Sequence, residues 1–190
     1  MKNQKSKFLK IFLFFLFFTA HYSQLTTGNL FAQDNNKLVT LSKQIIETNN
    51  NEELYVFFEE LEGLYSQENK YSQLVDFLKS LSQQKEALAP FVNYYTALAR
   101  YNQLKYLEKI QNWDEYFSQG NNFRDQITLG IQKTIGSTGA KDALNIYSRL
   151  LLWQFHKDQQ DAFVESSLTD LMNAISEYAK DAKDSKPIRE

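Results

Sequence analysis

A chain of 190 residues is one domain's worth of polypeptide, and 43% hydrophobic content is enough to build a core. It has no cysteine, which removes disulfide staples, thiolate zinc sites and a cysteine nucleophile. Its formal net charge of −2 gives no basic surplus for nucleic-acid phosphates, and only six glycines and two prolines imply long helices with few tight turns.

In chain order, Lys2, Lys5, Lys7 and Lys10 lead into the nearly unbroken apolar run Ile11 to Ala20, preceded by Phe8 and Leu9. A mostly polar spacer, His21 to Asn29, ends at Leu30, Phe31 and Ala32. A positive start, an apolar core and a small-residue exit predict a secretory signal peptide over residues 1–32, with Ala20 as a second cleavage point. The run is short of the roughly 20 residues that span a bilayer; the alternative is an uncleaved N-terminal anchor. No cysteine follows it, so a lipid-modified N-terminal cysteine is excluded. The expected destination is periplasmic or secreted. Setting the leader's four lysines aside from 21 basic residues leaves 17 basic against 23 acidic residues in 33–190, a net −6. That surface argues against nucleic acid and against docking on anionic lipid.

Residues 33–36 are expected as a polar linker and residues 37–182 as a helical domain. Lys37 to Thr48 predicts a first helix with Leu38, Leu41, Ile45 and Ile46 inward, with Asn51 capping the next. In that next helix Leu54, Phe57, Phe58, Leu61, Leu64 and Tyr65 share one stripe of period 3.6. Tyr71, Leu74, Phe77, Leu78 and Leu81 repeat the pattern after the short turn Glu68-Asn69-Lys70. So short a turn predicts an antiparallel hairpin with Leu61, Tyr65, Tyr71, Leu74, Phe77 and Leu78 at its seam. A helix restarts near Pro90 and runs about five to six turns. Asn112 is expected to cap the next, which Gly120 and the two following asparagines kink or split. Gly136-Ser137-Thr138-Gly139 is the clearest loop. Ala140 to Lys157 is apolar on two sides (Leu144, Tyr147, Leu151, Phe155; Ile146, Leu150, Trp153) and is expected at the centre of the fold. A last helix spans about Asp161 to Asp181, and 183–190 is a polar tail. No alternating run predicts a strand. The chain is therefore all-α, with seven helices, or eight if Gly120 splits one.

Leu61, Tyr65, Tyr71, Leu74, Leu78 and Leu81 have nearly the spacing of the consensus positions of a tetratricopeptide repeat, which this hairpin resembles. The sequence departs from that pattern at Glu62, Leu74, Leu81 and Glu86, where small residues or a proline are usual. A second, weaker copy runs through Tyr94, Tyr95, Ala97, Leu98, Ala99 and Tyr101, then Lys105 and Tyr106. The resemblance implies a short solenoid-like (TPR-like) array of stacked hairpins whose surface binds another protein.

Catalytic constellations are missing. Outside the leader, which holds His21, the single histidine is His156, so no multi-histidine metal site can form and a Ser-His-Asp triad would rest on it alone. Near a helix end, it is expected to face the C-terminal dipole. Gly136-x-x-Gly139 lacks the Lys-Ser/Thr and preceding strand of a phosphate loop. Glu59, Glu60 and Glu62 are expected as a solvated helix face. Tyr94 and Tyr101, seven residues apart on one face, are the candidate binding residues for a peptide or glycan. No cofactor and no metal is expected. The expected function is that of an exported, non-enzymatic protein–protein interaction module in a bacterial envelope. The alternatives are the helical non-catalytic part of a larger envelope enzyme or assembly factor, or a small periplasmic ligand carrier.

Overall fold

The computed structural model describes residues 30–140 and 142–184. They form seven α-helices: α1 (Leu30–Glu47), α2 (Asn51–Gln67), α3 (Tyr71–Gln84), α4 (Ala89–Lys109), α5 (Trp113–Ser137), α6 (Ala143–Gln159) and α7 (Val164–Asp184), with a short 3₁₀ turn, Glu86–Leu88, before α4. No strand occurs among the described residues. The chain from Leu38 onward is one compact unit, and the part of α1 before it belongs to another. The expected leader lies, up to Asn29, outside the described residues, as does most of the expected tail. No helix among the described residues is long and apolar enough to cross a membrane.

Several boundaries differ from expectation, each for a local reason. Residues 33–36, expected as a linker, lie inside α1. The cap of α2 is Asn50, one residue earlier than expected: its backbone is extended (φ −89°, ψ 115°) and its side chain accepts from the Glu52 N–H at 3.0 Å. Thr48 holds it there, because its Oγ1 accepts from the Asn50 N–H at 3.1 Å. Asn112 caps α5 as expected, accepting from Glu115 N–H. Gly120 does not split α5. A mid-helix glycine costs about 1 kcal/mol against alanine, but this one is buried beneath Arg124, and packing of the partly buried Tyr116 before it and of Phe123, Ile127 and Ile131 after it outweighs that cost. α5 also runs through Gly136 and Ser137, so the loop begins only at Thr138; hydroxyls of Ser137 and Thr138 donate to the Lys133 and Thr134 carbonyls and satisfy the helix end.

The core has two clusters. One joins α1, α2, α3, the start of α4 and Leu144 of α6, around Phe58, Leu61, Leu74, Leu78 and Leu81, each fully buried. The other joins α4, α5 and α6 around Leu104, Leu107, Ile127, Ile131 and Leu151. Burying each such side chain contributes about 1.5–3 kcal/mol of transfer free energy. In the first hairpin Leu61, Tyr71, Leu74 and Leu78 are buried, and the partly buried Tyr65 and Phe77 rings meet at 6.1 Å.

The central helix is α4, not α6. It touches α2, α3, α5 and α6, whereas α6 touches α4, α5 and α7. Its alanines explain this. Ala97 and Ala99 are fully buried, and Gly130 of α5 comes so close that a Cβ there would lie 2.7 Å from the Asn93 carbonyl oxygen and 3.1 Å from the Ala97 Cβ. Small residues let two backbones approach; the second stripe of α6 is larger and stays partly buried.

The three turns α2–α3, α4–α5 and α6–α7 share one geometry. Each contains a non-glycine residue in the left-handed region: Asn69 (φ 55°), Gln111 (φ 57°) and Gln160 (φ 52°). In each, the next N–H reaches back five residues: Lys70 to the Tyr65 carbonyl (2.9 Å), Asn112 to Leu107 (3.0 Å) and Asp161 to His156 (3.3 Å). That is the Schellman closure of a helix end, used three times at steps of 42 and 49 residues.

Candidate functional site

The first helices of the three hairpins, α2, α4 and α6, meet along α4. Tyr94 and Tyr101 both lie on the side of α4 that faces α6. Tyr94 is partly buried at the junction of the two core clusters, its ring 5.0 Å from Tyr95 and 6.4 Å from Tyr147. Burial, and then Tyr147, Glu62 and Glu59, push its hydroxyl well above the ordinary tyrosine range. Tyr101 donates to Asp158 Oδ2 at 2.6 Å, and Lys105 Nζ donates to the same oxygen at 2.8 Å. Burial and the Asp158 bond push Tyr101 up to about 12. Burial works to raise Asp158, but the Lys105 and Tyr101 hydrogen bonds overcome it and hold the carboxyl low. Lys105 is raised chiefly by the same bond.

Glu59 and Glu62 of α2 lie near these rings. Glu62 accepts from Ser66 and, at 3.2 Å, from Asn102 Nδ2 of α4. Glu59 is exposed, yet partial desolvation and then the Glu62 charge raise its pKa. No ion pair of Glu59 occurs among the described residues. No group of three or more acidic or histidine residues among the described ones could hold a metal ion.

The C-terminal half of α4 and the α2–α3 turn enclose an open cleft of about 490 Å³, lined by Asn69, Tyr71, Asn102, Lys105, Tyr106, Glu108 and Lys109. Lys105 is shared between this cleft and the Tyr101–Asp158 cluster, so the two form one neighbourhood. A second cleft of about 310 Å³ lies between the end of α5, α6 and α7, with Asn145, Arg149, Asp170 and Glu177 in its wall.

His156 sits in the last turn of α6, and its Nδ1 lies 2.7 Å from Asp161 Oδ2. Asp161 in turn accepts from the Phe163 N–H at 2.8 Å, so the pair braces the α6–α7 turn.

One linkage has no signature in the sequence. Tyr55 of α2 donates to Asp142 Oδ1 at 2.7 Å and accepts from the Leu144 N–H at 2.9 Å. Asp142 caps α6 through the same N–H at 2.9 Å. The Tyr55 ring meets Phe91 at 5.0 Å and Tyr147 at 6.2 Å, both edge-on. It joins the first hairpin to the third across α4, over a separation of 87 residues. The only local signal was the capping potential of Asp142.

No family model matches this chain, and neither the curated proteins nor the solved structures include a match.

Proposed function

We propose that the protein is an exported, non-enzymatic interaction module, a short TPR-like array of stacked hairpins that binds another protein along the face formed by α2, α4 and α6. The observation that carries this reading is the packing order: each first helix touches the first helix of the next hairpin as well as its own partner. That is how stacked hairpins bury their core while presenting one face made of successive equivalent helices. The thrice-repeated left-handed turn supports the same reading. Its steps of 42 and 49 residues exceed the roughly 34 of the tetratricopeptide repeat, so the hairpins are longer relatives in architecture. The mix on this face, with Glu59 and Glu62 beside Tyr94 and Tyr147, suits a polypeptide that carries both apolar and basic side chains.

The test is site-specific photo-crosslinking in the native envelope, with the reactive residue placed in the full chain at Glu59 on the proposed face and at Gln132 on exposed α5. One discrete adduct from Glu59 and none from Gln132 is the expected outcome. Equal adducts from both positions, or none from either, would overturn the reading. Mass measurement of the chain from the same envelope fraction checks export through loss of residues 1–32.

A further inference from the structure

The cleft at the end of α4 has a composition that protein-binding faces do not need. Its volume, about 490 Å³, falls in the range of about 300–1,000 Å³ typical of small-molecule sites. Such sites are mostly apolar, yet this one has no aliphatic side chain in its wall. Two asparagines, two tyrosines, two lysines and one glutamate line it instead. The side-chain polar atoms of Asn69, Tyr71, Tyr106, Glu108 and Lys109 have no hydrogen-bonding partner among the described residues. Asn102 gives one amide hydrogen to Glu62, and Lys105 is held by Asp158.

The inventory separates possible ligands. A bare anion needs donors only, and would be repelled by Glu108. An apolar ligand would strand the wall's polar groups unsatisfied, at a cost of about 1–3 kcal/mol for each that becomes buried. A polyhydroxylated ligand fits both halves of the lining, because every hydroxyl donates and accepts. Amides and tyrosine hydroxyls match it in both directions, the lysines donate and Glu108 accepts. Lys105 is neutralised by its ion pair with Asp158, so Lys109 is the lining cation without an ion-pair partner among the described residues. We propose that this cleft binds a monoanionic saccharide, a sugar carrying one carboxylate, with Lys109 meeting the carboxylate and Asn69, Asn102, Tyr106 and Glu108 meeting the hydroxyls. The proposal does not depend on the protein-binding face, and either can fail without the other.

The experiment is a nuclear magnetic resonance titration of the full chain, following the side-chain amides of Asn69 and Asn102. The probes are a disaccharide containing one uronic acid, its carboxyl-reduced neutral counterpart, and acetate. Saturable shifts of both amides with the acidic disaccharide, about tenfold weaker binding of the neutral one, and no saturation with acetate are expected. Lys109→Met should weaken the acidic sugar about tenfold and leave the neutral one unchanged; Tyr106→Phe should weaken both. Lys109 is exposed, so its replacement leaves folding intact, as circular dichroism would verify. Absence of saturable shifts, acetate binding as tightly as the disaccharide, or no loss in either variant would overturn the proposal.

Discussion

Tyr55→Phe isolates the link between the first and third hairpins. The change removes one oxygen and keeps the ring, so the edge-on contacts with Phe91 and Tyr147 remain. Lost are a 2.7 Å hydrogen bond to a carboxylate and a 2.9 Å bond accepted from Leu144 N–H. The Leu144 N–H keeps Asp142 as an acceptor at 2.9 Å, so the α6 cap survives and no buried donor is orphaned. What disappears is one charge-assisted bond, worth about 1.5–3 kcal/mol when buried. Tyr55 and Asp142 are only partly buried, which lets water replace part of that, and the expected loss is about 1–2 kcal/mol. For a chain of this size that lowers Tm by about 2–8 °C. Urea unfolding of the full chain should show a lower midpoint at unchanged slope. A double-mutant cycle with Asp142→Ala should give a coupling of at least about 0.5 kcal/mol. A Tyr55→Phe loss within about 0.5 kcal/mol, the range of an ordinary surface change, together with zero coupling, would refute the bracing role.

Two glycines should respond to alanine with opposite sign. Gly130→Ala places a Cβ 2.7 Å from the Asn93 carbonyl oxygen, and the expected cost is about 1–3 kcal/mol despite alanine's better helix propensity. Gly63→Ala meets nothing within 4 Å in mid-helix and should stabilise by about 0.4–1 kcal/mol, both read by urea midpoints. Phe58→Ala should cost about 3–5 kcal/mol, because Phe58 is fully buried and stacked 5.2 Å from both Phe91 and Tyr95. Stability should fall in alkali. Tyr55, Tyr94, Tyr95 and Tyr101 are all raised, chiefly by burial, above the unfolded value of about 10. The folded state therefore holds protons that the unfolded chain releases; the stabilisation is complete below about pH 10 and is lost as pH rises, for Tyr101 between about 10 and about 12. Tyrosinate absorbance should show a late-titrating group in the folded protein, and Tyr101→Phe should shrink the loss of Tm across that window.

Periodicity settles what is local. The α2–α3 hairpin was legible because its stripe positions, its short turn and its apolar content all act within a few residues of one another. The Asn112 cap was legible for the same reason. The cap of α2 fell on Asn50 and not on the expected Asn51, where the Thr48 hydroxyl accepts from the Asn50 N–H, a contact that periodicity does not show. Glycine punctuation misled at Gly120 and Gly136, because helix propensity is a weak term that packing over a long helix outweighs.

The sequence by itself determined an all-α chain, the stripes that face inward and the absence of thiol chemistry and of a multi-histidine site. Tertiary structure alone decided which helix is central, since close approach of α4 and α5 depends on Ala97 and Gly130 meeting from distant segments. It also decided which polar groups meet: Tyr55 with Asp142, Tyr101 and Lys105 with Asp158, and the lining of the α4 cleft. These contacts join residues tens of positions apart, and no periodicity along one helix specifies the face of another that it will meet.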